Sequence, residues 1–128
     1  MSKVVLDASA LLALLNQEAG HELVEKHLSN AVMSTVNISE VISVLIDTGI
    51  PHKTAREMVL EIIKEIIPFE LQHAFVTASM KKTTKAYGLS FGDRACLTLA
   101  ELKKLPALTA DKIWAKIDNP EIKIILIR

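Results

Sequence analysis

Four acidic residues stand where their side chains could share one charge centre: Asp7, Glu40, Asp93 and Asp111. Asp7 closes the short β-branched run Lys3-Val4-Val5-Leu6. Asp111 lies two residues after Thr109, which closes Pro106-Ala107-Leu108-Thr109. Glu40 falls in the first turn of a helix expected over 37–46, after the run Ala31-Val32-Met33. Asp93 opens a helical pattern that leads back to Pro106. Each acid has a simpler reading. Asp7, Asp93 and Asp111 could cap helices, and Asn37 and Glu40 have the N-x-x-E spacing of a capping box. Taken together the simpler reading weakens. Four carboxylates on one rim repel one another, and a cap has no need of acidic neighbours. A divalent cation would relieve that repulsion. Oxygen-only donors favour Mg²⁺ or Mn²⁺ over zinc.

The elements that must position these acids are legible as alternating short apolar strands and helices. Strands are expected at 3–6, 31–33, 66–69, 106–109 and 122–127. Helices are expected at 10–15, 18–28, 37–46, 54–66, 70–87 and 93–105, with a short helix or turn at 111–117. Ile38, Val41, Ile42 and Leu45 recur at helical spacing. Gly49 ends one helix and Pro51 opens the next. Short, fully apolar strands between helices predict a parallel sheet covered on both faces. In such a sheet a ligand site lies beyond the carboxyl ends of the strands. Asp7, Glu40 and Asp111 follow strands and belong to that rim. Asp93 joins them because its helix returns antiparallel to the strands.

Composition bounds the remaining chemistry. The 128 residues suit one domain, and an apolar fraction of 50% excludes disorder. The single cysteine, Cys96, excludes a disulfide framework and reads as core. His21, His27, His52 and His73 share no ligand spacing, and Trp114 reads as a packing anchor. Phosphate-binding loops and a G-x-S-x-G elbow are missing. No apolar run is long enough to span a bilayer, and Asp7 interrupts any signal-like segment. A soluble cytoplasmic protein is therefore expected. The formal net charge is +0, so nucleic-acid binding would need a local arrangement of charge. Lys81, Lys82 and Lys85 form the one basic stretch. It reads either as a solvated helix face or as a set of phosphate contacts.

Four segments in order carry a resemblance: Val4-Val5-Leu6-Asp7-Ala8-Ser9, Asn37-Ile38-Ser39-Glu40-Val41, Gly88-Leu89-Ser90-Phe91-Gly92-Asp93-Arg94-Ala95, and Leu108-Thr109-Ala110-Asp111. Over essentially its whole length the chain resembles a PIN domain, most closely a VapC-type toxin of a toxin–antitoxin pair. The resemblance implies a single PIN domain over 1–128. It implies a PIN-like three-layer α/β sandwich with a central parallel sheet of about five short strands. It further implies a Mg²⁺- or Mn²⁺-dependent endoribonuclease whose catalytic and metal-binding acids are Asp7, Glu40, Asp93 and Asp111. Ser9, Asn37 and Thr109 would orient them, and Lys81, Lys82 and Lys85 would meet RNA. The implied partners are a cognate antitoxin, a second copy in a homodimer, and the toxin–antitoxin hetero-oligomer they build. A catalytically silent PIN-like scaffold is the alternative.

Overall fold

The computed structural model describes residues 2–128. Its sheet has five parallel strands in the order β3-β2-β1-β4-β5: β1 Val4–Leu6, β2 Ala31–Ser34, β3 Glu65–Ile67, β4 Ala107–Thr109 and β5 Ile124–Leu126. The strands are only three or four residues long. The central ones, β1, β2 and β4, are buried on both faces, which is why they read as unbroken apolar runs.

Strand alternation divides the core in two. Val4, Leu6, Met33 and Leu108 point into a cluster with α1 (Ala8–Leu15), α2 (His21–His27), α3 (Thr35–Asp47) and α4 (His52–Ile62). Val5, Val32 and Ala107 point the other way, onto Cys96, Leu97, Leu99 and Ala100 of α7 (Phe91–Lys103), with Trp114. The expected three-layer sandwich is thus observed. Trp114 and Cys96 are both fully buried, as the sequence suggested. Among the described residues no helix is long and apolar enough to cross a membrane.

Several expected boundaries are corrected by local competition. The first helix starts at Ala8, directly after Asp7. The expected helix 18–28 shrinks to His21–His27 and a 3-10 turn, Leu28–Asn30, because Gly20 takes a left-handed φ of 92° and restarts the chain. The helix expected at 54–66 ends at Ile62. Ile63 turns extended and buried, and residues 65–67 are taken up by pairing with β2. The long helix expected over 70–87 is three pieces: α5 (Leu71–Ser79), α6 (Lys81–Thr84) and a 3-10 turn, Lys85–Tyr87. At the break the hydroxyls of Thr83 and Thr84 both donate to the Met80 carbonyl, which also accepts the Thr84 N–H.

Gly20 does more than restart a helix. A Cβ there would collide with the backbone carbonyl of Ile127, so α2 and the chain end after β5 approach only because Gly20 has no side chain. Gly49, with φ 102°, faces open space. Both positions carry left-handed strain for any other residue, about 1 kcal/mol. Gly20→Ala adds a steric collision to that strain. In urea denaturation Gly49→Ala is expected to lower stability by about 1 kcal/mol and Gly20→Ala by at least about 2 kcal/mol. Equal midpoints for the two variants would remove this role for Gly20.

Candidate active site

The site grows from the carboxyl end of β1. Asp7 continues the strand, donating its N–H to the Leu108 carbonyl, and then caps α1. Its Oδ1 accepts the Ala8 N–H at 2.8 Å. Its Oδ2 accepts two hydroxyls, Ser9 Oγ at 2.6 Å and Thr109 Oγ1 at 2.8 Å. Ser9 and Thr109 also touch each other at 3.2 Å. They are tied back in turn, since Ser9 Oγ accepts the Ala110 N–H and Thr109 Oγ1 accepts the Asp111 N–H. Strand alternation explains the convergence. Val5 and Ala107 face α7, so the groups two residues on, Asp7 and Thr109, emerge on that same side.

Glu40 comes from α3 and Asp93 from α7. Ser34 caps α3, so Asn37 and Glu40 form no capping box and Glu40 lies in the second turn, not the first. Asn37 instead is wholly buried and donates. Its Nδ2 meets Glu40 Oε1 at 2.8 Å and the Gly92 carbonyl at 3.0 Å. Its Oδ1 is buried without a partner. Asp93 is not an N-cap but the third residue of α7. There it closes a reciprocal box with Ser90: the Ser90 N–H donates to Asp93 Oδ2 at 2.9 Å and the Asp93 N–H to Ser90 Oγ at 3.1 Å.

Electrostatics join three of the four acids. The Asp7 carboxyl stands raised from 3.8 to about 6, with burial the largest cause. The Ser9 and Thr109 hydroxyls pull it down, and the charges of Asp93 and Glu40 push it up again. Glu40 is raised by burial, lowered by the Asn37 amide and raised by Asp93. Cys96, wholly buried on α7, has its thiol pushed well up by burial and then by the same three acids. It therefore lies within their field. Asp111 contributes to none of these shifts. It is exposed and caps the 3-10 turn Lys112–Lys116, accepting the Ile113 N–H at 3.1 Å. Its link to the site is the backbone bond to Thr109.

The donors are oxygens and their charges are mutually unfavourable, which suits a hard divalent cation. Yet among the described residues no three of His, Cys, Asp or Glu are grouped closely enough to hold an ion. Asp93 is drawn to Ser90 and Glu40 to Asn37, so these two side chains must turn to share a ligand with Asp7. Lys81, Lys82 and Lys85 are exposed on α6 and the turn after it.

Two residues were missed in the sequence. Gly92 sits under Glu40, where a Cβ would overlap the carboxylate. Its signal was a poor helix former in a first helical turn. Ser90 was the other, and the S-x-x-D spacing of Ser90 and Asp93 announced the capping box.

The fold is similar to several solved structures. A chain of a toxin–antitoxin complex from Klebsiella pneumoniae superposes with a TM-score of 0.75 at 18% identity, over 98% of each chain. A chain of DNA-bound VapBC from Salmonella typhimurium gives 0.74 at 18% identity, over 100% of both. Mycobacterium tuberculosis VapC20, described as a sarcin–ricin-loop-cleaving toxin, gives 0.74 at 15% identity, over 94% of this chain and 99% of that one. No curated protein sequence matches. A family model described as the PIN domain matches residues 4–120. With the sheet order, the acid-bearing rim and that match in hand, the chain belongs to the PIN domain family.

Proposed function

We propose that this chain is a divalent-metal-dependent endoribonuclease, the toxin of a toxin–antitoxin pair, acting as one PIN unit in the cytoplasm. The observation that carries the reading is the buried Asp7 carboxylate, held at a strand end with two further acids within its field. A folded chain gains nothing in stability from such a gathering, whereas a cation and a phosphodiester give it a use. PIN-domain membership supports a nuclease, and the similar VapC20 supports RNA as the substrate class. The similar toxin–antitoxin complexes support a cognate antitoxin. A homodimer is the assembly proposed for the toxin itself.

In this reading Asp7, Glu40 and Asp93 would hold Mg²⁺ or Mn²⁺, with Asp111 at the outer edge. When bound, the ion supplies an activated water and neutralises charge on the phosphate. The chain's own residues do the rest. Ser9, Thr109 and the Ala8 N–H fix both oxygens of Asp7. Asn37 and Gly92 set Glu40. Glu40, half-buried with its pKa raised, would accept the proton of the water that bonds to phosphorus, while the bond to the leaving oxygen breaks and that oxygen takes a proton from solvent. Lys81, Lys82 and Lys85 meet backbone phosphates. A catalytically silent binding module is the second reading, favoured by the present spacing of the acids, which encloses no ion site among the described residues.

Purified protein incubated with total RNA and Mg²⁺ or Mn²⁺ is expected to give discrete fragments. Chelator, Asp7→Ala and Asp93→Ala should each abolish them, a loss of at least about 100-fold given what such groups supply. Wild-type cleavage rates in either variant would refute the site. Intact RNA throughout, with metal still bound, would favour the silent module. Replacing the three lysines by alanine should weaken RNA binding and reduce the log–log salt slope by up to about 2, since each phosphate contact on a single strand contributes ~0.7. An unchanged slope assigns them to solvent alone.

The Asp7 shift also fixes a sign for stability. Because the folded state holds the proton more tightly than the unfolded chain, this group's contribution to metal-free stability is fully present below about pH 4. It falls as pH rises toward 6, by roughly 3 kcal/mol from this group. Thermal melts of metal-free protein between pH 4 and 7 should show that fall, and Asp7→Asn should lack it. Mg²⁺ at pH 7 should raise Tm by several degrees in the wild type and barely in the variant. Identical pH dependence in both proteins would mean that Asp7 carries no such burden.

A further inference from the structure

The chain has three phenylalanines, and none lies in the core. The one fully buried aromatic residue is Trp114, and the rest of the core is mainly aliphatic. Leaving an aromatic ring in water forfeits one of the largest hydrophobic gains open to a single side chain. One of the three has a notable address. Phe91 is the first residue of α7, two before Asp93 and next to Gly92, whose Cα faces the Glu40 carboxylate. It is 51% exposed.

This ring is nevertheless held. Phe69 meets it edge-on, with centroids 5.5 Å apart and planes at 71°. Phe69 is itself fixed, by a similar contact with His73 at 5.7 Å and by donating its N–H to Thr35 Oγ1 at 3.0 Å. The Arg94 guanidinium lies 6.0 Å from the Phe91 centroid, and its Nη1 donates to the Thr77 carbonyl at 2.9 Å. The rim beside the acids therefore carries an oriented, half-exposed ring with a cation against it. A π-surface next to a positive charge suits a planar base attached to a phosphate.

We propose that Phe91, braced by Phe69 and flanked by Arg94, stacks an unpaired nucleobase next to the phosphate presented to Asp7, Glu40 and Asp93. The inference rests on the ribonuclease reading and sharpens it. The substrate must offer a base free of a duplex at the cleavage site. Phe91 touches that base and sets the register of the strand, so it is a positioning residue and takes no part in bond breaking. Stacking tolerates any base, so this contact selects unpaired structure over sequence.

The test uses a short oligouridylate carrying one 2-aminopurine, placed at each position in turn. The fluorescence of that base falls when it stacks. Binding is measured in the full chain with Asp7→Asn, which leaves the strand uncut. Against this parent, Phe91→Leu should lose the quenching at one position and bind roughly tenfold more weakly, whereas Phe91→Tyr should keep both. If Phe91→Leu matches its parent in affinity and fluorescence, the stacking proposal falls while cleavage by the wild type leaves the ribonuclease reading standing. If the parent binds no oligonucleotide and the wild type cuts no RNA, both fall together. Size-exclusion chromatography runs beside the titrations. A Phe91→Leu dimer that dissociates with unchanged RNA affinity per protomer would place the ring between two copies of the chain and overturn the proposal.

Discussion

The site turns on one buried carboxylate, which the fold holds at a cost in stability once it is charged. Asp7 is 3% exposed, lies next to two other acids, and has no cationic partner among its contacts. Burial favours its neutral form. Three donors oppose that: the Ala8 N–H at the start of α1 and the hydroxyls of Ser9 and Thr109. The start of α1 adds its partial positive charge beside the same carboxylate. None of these donors carries a full charge. The carboxylate is therefore hydrogen-bonded without being neutralised, the condition that the proposed cation would exploit.

The rest of the fold serves that arrangement. The parallel sheet brings Asp7 and Thr109 side by side, because β1 and β4 are hydrogen-bonded neighbours in register. The returning helix α7 lies across the sheet, so its first turn delivers Asp93 to the strand ends. Helix α3 is clamped to that turn through Asn37 and the Gly92 carbonyl. This clamp brings Glu40 so close that only glycine fits at position 92 without displacing the carboxylate. Each acid thus comes from a different element, and each element is anchored by apolar packing on its inner face. The rigidity of the site comes from the core below it.

Much of this was legible in the sequence. The five strands and the returning helix follow from apolar runs and spacing, since in a covered parallel sheet both faces must be apolar. The acids were found by their places after strands and in a first helical turn. Boundaries were harder to read where local groups compete with periodicity. The helix that apolar spacing would continue through Met80 is broken there into α5 and α6. Gly20 and Ile63 turn the chain for reasons set by distant partners, Ile127 and β2, which spacing does not encode. The Asn37–Glu40 pair had the spacing of a cap, yet Ser34 took that role because β2 ends there. Asp111 shares its motif spacing with a helix cap, and the fold gives it that geometry at the exposed edge of the site. Four carboxylates looked equivalent in sequence. Near-complete burial and three donors set Asp7 apart from the others, and both depend on what α1, β4 and α7 place around it.

The most direct test of this account is to titrate the Asp7 carboxyl itself, by carbon-13 NMR of protein labelled at aspartate, without and with Mg²⁺. A midpoint near 6 is expected in metal-free protein. With Mg²⁺ the midpoint should fall below the ordinary aspartate range, because a cation beside the carboxylate favours its charged form. A midpoint near 3.8 without metal, or one near 6 that Mg²⁺ leaves unmoved, would contradict the claim that this site is built around a buried charge awaiting a cation.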